Sequence, residues 1–130
     1  MTRGRNKVSA EAEASYLADV ALAARFDGLL AAARDAEQDY RRAQATAAPG
    51  DEQYRLADTL TNALTDAMHA AYAAERAEIG PRGYDDRIYR RKAKATSAVH
   101  AWTDEAERLL TLRETHRLTG IPRVARTNAA

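Results

Sequence analysis

The chain has 130 residues, a formal net charge of +1 and no cysteine, which gives length for one domain and excludes disulfides and thiolate metal sites. Alanine supplies 31 residues, whereas Leu, Ile, Val and Phe together supply 19, about 15% of the chain and below the roughly 20% at which disorder becomes the default reading. Near-neutral charge and strong helix formers in the remainder point instead to helices held by a thin core, with no membrane span, no signal-like apolar run and a cytoplasmic setting.

In chain order, residues 1–8 form a basic arm with Arg3, Arg5 and Lys7 and no acid. Ser9 is a candidate N-cap, followed by Glu11 and Glu13 where the helix dipole favours anions. Leu22, Phe26, Leu29, Ala33, Ala36, Tyr40 and Ala43 then recur in a heptad-like stripe, which predicts one helix to Ala47. Asp27-Gly28 is its weakest point. The stripe serves equally as internal core or, in part, as a self-association seam.

Pro49-Gly50 marks a turn, with Asp51 as the expected cap of a second helix. That helix carries Leu56, Leu60, Ala63, Leu64, Ala67 and Ala71 on one face and stops at Gly80-Pro81. A third helix is expected from Tyr84 or Asp85 to Thr119-Gly120, with the stripe Ile88, Ala95, Val99, Trp102, Ala106 and Leu109. Residues 9–120 thus read as a single all-α domain, three long helices in an antiparallel bundle with short turns. The termini read as flexible and basic, and residues 121–130 as an extended or disordered tail.

The charge is unevenly placed. Residues 9–48 carry −3 and residues 51–79 carry −4, whereas residues 82–94 carry +4. Within RIYRRKAKATSAVHAW, residues 87–102, helical projection at about 100° per residue puts Arg87, Arg90, Arg91 and Lys94 on a ridge beside the apolar stripe, with Lys92 on its other flank. One reading makes the ridge a solvated face or a set of ion pairs to the two acidic helices. The other makes it a contact to an anionic backbone, RNA or DNA, without sequence preference. Arginine matches phosphate geometry, no acid interrupts residues 87–103, and Arg3, Arg5, Lys7, Arg123 and Arg126 add flexible charge. Tyr84 is expected in the core and Tyr89 exposed, where it could stack on a base or an interface. Trp102 is expected in the core, or as an interface anchor, and Arg123 and Arg126 as tail contacts.

Catalytic patterns are missing. Asp66 and His69 share a helix face, but the further glutamates of a di-iron site are not there. The other histidines are His100 and His116, and His116 suits a helix C-terminus. There is no phosphate-binding glycine loop, nucleophile elbow or zinc-protease pair. The expectation is a protein that is not an enzyme, with no catalytic residue, metal or cofactor.

A short, helical, Ala- and Arg-rich chain with a basic ridge and no catalytic motif resembles the small subunit of CRISPR effector complexes. The resemblance spans the chain in size, helicity and charge pattern and transfers no residue roles. It implies a non-catalytic protein present in several copies, packed on neighbouring subunits and lining a path for a guide–target duplex or displaced strand. Two other classes fit the same thin core: a structural assembly protein of a phage virion or scaffold, and a homodimeric regulatory protein.

Overall fold

The structure is a computed structural model that describes residues 8–119 and Val124, and among these residues it is all-helical. Five α-helices follow in order: α1 (Ala10–Ala23), α2 (Phe26–Ala45), α3 (Gly50–Ile79), α4 (Arg87–Ala93) and α5 (Ser97–Thr119), with a 3-10 turn at Pro81–Tyr84 between α3 and α4. None of the described helices is long and apolar enough to cross a membrane.

The long central helix α3 packs against α1, α2 and α5. Its 30 residues span about 45 Å at 1.5 Å per residue. Cross-helix contacts define the directions. Thr103 and Arg113 of α5 reach Glu75 and Thr65 of α3, so these two helices run oppositely. Phe26 meets Trp102 edge-on at 5.2 Å and Tyr40 meets His116 at 5.8 Å, so α2 and α5 run the same way. Asp19 reaches Arg76 and Ser9 reaches Asp85, so α1 also opposes α3.

The core joins Phe26, Leu30 and Ala33 of α2, Leu60, Leu64, Ala67 and Ala71 of α3, and Ala106 and Leu109 of α5. Alanines at Ala33, Ala67, Ala70, Ala71 and Ala106 are fully buried, which lets the helix axes approach closely. The three largest fully buried side chains are only leucines, Leu60, Leu64 and Leu109. Apolar burial stabilises by about 25 cal/mol per Å², so short side chains leave few contacts that dominate the total.

Several helix ends lie where the sequence places them. Ser9 caps α1 by accepting from the Ala12 N–H at 3.0 Å, and Gly80 ends α3 with φ +99°, a left-handed conformation suited to glycine. Other boundaries differ. Asp51 is not the cap of α3: Pro49 occupies that position and Asp51 lies inside the first turn. Helix one is not continuous to Ala47. It breaks at Ala24-Arg25, two residues before Asp27-Gly28, where the Arg25 N–H bonds the Leu22 carbonyl three residues back. The tightened turn re-aims the chain so that Phe26 can meet Trp102, while Gly28 stays within α2.

Helix three is broken as well. Thr96 donates both its N–H and its hydroxyl to the Ala93 carbonyl, and the Ala95 N–H bonds Lys92 O. A hydroxyl that competes for a helical carbonyl ends α4 and leaves Thr96 to start α5, whose His100 N–H bonds Thr96 O. The expected stripe therefore holds only in α5, where Val99, Ala106 and Leu109 are buried and Trp102 is partly buried. Ile88 is 71% exposed and Ala95 is exposed, because the segment carrying Ile88 no longer continues the α5 face.

Beyond α5, the described residue Val124 joins the core. Val124 is buried, and its N–H donates to Glu37 Oε1 of α2 at 3.0 Å. At this position the chain docks on itself.

Candidate nucleic-acid interface

The basic segment forms α4, a helix of two turns with no buried residue. Asp86 starts it by accepting the Tyr89 N–H at 2.9 Å, and that bond together with Arg82 holds the Asp86 carboxyl below the usual range. Arg82 lies in the 3-10 turn, donates to Asp86 at 3.3 Å and sits 4.6 Å from the centroid of the Tyr89 ring. Arg90 donates to the Gly83 carbonyl. Gly83 itself sits tight against the end of α3, where a Cβ would lie 2.4 Å from Ile79 Cγ2.

These contacts orient α4 differently from the sequence projection. Tyr89, Arg90 and Ala93 are the half-buried residues, so they form the side turned to the body. Arg87, Ile88, Arg91, Lys92 and Lys94 are exposed. Arg90, expected on the ridge, is an anchor, and Ile88, expected in the core, stands among the cations. Tyr89, expected exposed, is half-buried and carries the Arg82 guanidinium on its ring. The sequence projection fails here because the turn at residues 94–96 separates α4 from the Trp102 face. What faces inward is then decided by Gly83 and Arg82.

Among the described residues no carboxylate pairs with Arg87, Arg91, Lys92 or Lys94. The two nearest acids in sequence are occupied: Asp86 by Tyr89 and Arg82, and Asp85 by the Ser9 N–H at 3.1 Å and its hydroxyl at 3.3 Å. Elsewhere seven arginines, Arg41, Arg42, Arg76, Arg82, Arg108, Arg113 and Arg117, do pair with carboxylates. The cations of α4 form a local surplus of positive charge facing solvent.

Beneath α4 a clamp joins three elements. Arg76 of α3 donates to both Asp19 oxygens, at 2.8 and 3.0 Å, and the Tyr84 hydroxyl donates to the same carboxylate. Burial pushes the Asp19 carboxyl up, but the Arg76 and Tyr84 hydrogen bonds and the Arg76 charge outweigh it and hold the group below its ordinary value. Burial and the neighbouring Asp19 raise the Tyr84 hydroxyl. Arg76, Ile79, Gly83, Tyr84 and Arg90 line a small pocket at this junction.

Of the other candidates, Trp102 packs on Phe26 and is partly buried. Arg3, Arg5, Lys7, Arg123 and Arg126 lie outside the described residues. His116 is buried against α2 and α3, with Nε2 3.1 Å from Ala57 O. His69 and Asp66 are exposed, and no group of three or more potential metal ligands occurs among the described residues. Sequence reasoning missed the Asp19–Arg76–Tyr84 clamp, which joins distant positions, and the α4–α5 break. The Thr96-Ser97 pair just before Ala98-Val99 was the available signal for the break. No family model, no curated protein and no solved structure matches this chain.

Proposed function

We propose that this protein is a non-catalytic helical subunit of a nucleoprotein assembly that holds a nucleic-acid backbone through α4. The observation that carries the reading is the cluster Arg87, Arg91, Lys92 and Lys94, exposed and without a carboxylate partner among the described residues on a helix whose inward side is anchored by Arg90 and Tyr89. Seven other arginines in the same molecule do have such partners. The CRISPR small-subunit resemblance supplies a setting in which several copies line one strand. The antiparallel three-helix expectation enters this proposal with two jointed rods, α1–α2 and α4–α5, of which α1, α2 and α5 pack on α3 and α4 packs on the 3-10 turn.

Binding is electrostatic and independent of sequence. Four phosphate contacts give log K a slope against log salt of about −3.6 on duplex and about −2.8 on a single strand, or a loss of about 150-fold and about 50-fold between 50 and 200 mM salt. The test is fluorescence anisotropy of the full chain with labelled RNA, single-stranded DNA and duplex across a salt series. The variant Arg87→Glu/Arg91→Glu/Lys92→Glu/Lys94→Glu should lose binding while keeping its helical circular dichroism. Unchanged binding, or binding insensitive to salt, sinks the proposal.

A second reading, a structural assembly protein of a virion or scaffold, draws on a different observation: the outward side of α1 exposes Leu17 and Val20. In that case α4 meets an acidic protein surface, and the quadruple variant loses a protein contact instead of nucleic acid.

A further inference from the structure

A line of exposed apolar residues runs the length of α1 on its outward side, with the exposed Glu13 on its Val20 flank. Ala10, Ala14, Leu17, Ala21 and Ala24 are all exposed and recur at spacings of 4, 3, 4 and 3, which places them on one seam. Leu17 is 57% exposed and Val20 beside it 39%. The inward side is already used by Ala12, which is buried, and by Asp19, which holds Arg76. Large side chains are scarce in this protein, yet Leu17 and Val20 stand in water here among alanines, with Glu13 as the one charged neighbour on that flank.

The seam has two properties that identify its occupant. First, it reads the same in both directions: Ala, Ala, Leu, Ala, Ala. Laid antiparallel on itself, Ala10 meets Ala24, Ala14 meets Ala21, and Leu17 meets Leu17 of the other copy. This is the self-complementarity that a two-fold interface requires. Second, its ends carry opposite charge. Glu11 is exposed at the N-terminal end and Arg25 is exposed just past the C-terminal end, and neither has an ion-pair partner among the described residues. In the antiparallel arrangement each Glu11 comes within about one helical turn of the other copy's Arg25, whereas a parallel arrangement would put like charges together. The helix dipoles also oppose favourably.

We propose that α1 is a homodimerisation helix that takes α1 of a second copy, antiparallel, with Leu17 at the two-fold axis. The inference does not depend on α4 binding nucleic acid. Ser9 beside Asp85 places the start of α1 next to α4. The pairing therefore puts the two basic helices at opposite ends of a seam about 21 Å long, from 14 residues at 1.5 Å each.

Sedimentation equilibrium of the full chain over a wide concentration series tests the proposal. The wild type should fit a monomer–dimer equilibrium. Leu17→Glu/Ala21→Glu, both at exposed positions, should keep its circular dichroism and weaken association by about 100-fold or more, because it buries like charges. Orientation is read by mixing Ala14→Cys and Ala21→Cys chains, which is clean because the protein has no cysteine of its own. The mixture should form crossed disulfides under mild oxidation, while either chain alone should not. A wild type that stays monomeric, a Leu17→Glu/Ala21→Glu chain that still dimerises, or Ala14→Cys chains that cross-link among themselves would each overturn it.

Discussion

Replacing Asp19 with Ala should detach α1 from the end of α3. The carboxylate accepts two hydrogen bonds from Arg76, at 2.8 and 3.0 Å, and one from the Tyr84 hydroxyl. Its side chain is 14% exposed, but that of Arg76 is 46% exposed. Shielded hydrogen bonds to a charged group contribute about 1.5–3 kcal/mol each, whereas solvent-screened ion pairs contribute about 0–1 kcal/mol. Discounting for the exposure of Arg76 leaves about 2 kcal/mol for the clamp. Alanine returns about 0.5 kcal/mol as the better helix former. The net loss is then about 1.5 kcal/mol, which for a chain of 130 residues lowers Tm by about 6 °C. Urea denaturation of Asp19→Ala, Arg76→Ala and the double variant should give a coupling energy of about 1–2 kcal/mol, free of the propensity term. The pH dependence has a definite sign. The folded-state carboxyl titrates below its ordinary value of 3.8, so its contribution is complete above that pH and disappears as pH falls through the lower, folded value. The wild-type advantage over Asp19→Ala should be full at neutral pH and close in strong acid. A coupling near zero, or a gap that does not close in acid, would refute the claim that this clamp holds α1.

Gly83→Ala would put a Cβ 2.4 Å from Ile79 Cγ2, and overpacking of this kind costs about 1–3 kcal/mol. Faster amide hydrogen exchange in α4 than in α3 would show that the damage is local, and unchanged exchange would count against the Gly83 anchor. Leu64→Ala empties a fully buried site in a core with few large residues and should cost about 3–5 kcal/mol by urea denaturation. Glu37→Ala leaves the buried Val124 N–H without its acceptor, which costs about 1–3 kcal/mol. In that variant limited proteolysis should cut the C-terminal segment sooner than in the wild type, and equal cutting would show that Glu37 does not hold it.

Much of this protein follows from local sequence physics. Alanine-rich helical periodicity predicts an all-helical chain, and Ser9, Pro49-Gly50 and Gly80-Pro81 mark boundaries within a few residues of those observed. The buried positions of α2 and α3, from Phe26 and Ala33 to Leu60, Leu64 and Ala71, follow from spacing alone, because a 3.6-residue period decides which side chains share a face. The clustering of cations at residues 87–94 is equally legible.

Tertiary structure decided the rest, because a periodic pattern assumes an unbroken helix. Thr96 and Arg25 each end one with a shortened turn, at the cost of few local hydrogen bonds, and the sequence stripe cannot register the change of direction that follows. Once α4 is free of α5, Arg82 and Gly83 set its orientation. They turn Ile88 outward and Arg90 inward, the reverse of the sequence projection. The Asp19–Arg76–Tyr84 clamp and the Glu37–Val124 contact join residues 57 to 87 positions apart, and no short-range pattern encodes such pairs. Burial also separates the two roles that alanine plays here. In α3 it packs the core, and on the outward side of α1 it leaves a seam open, a distinction that composition cannot express and solvent exposure can.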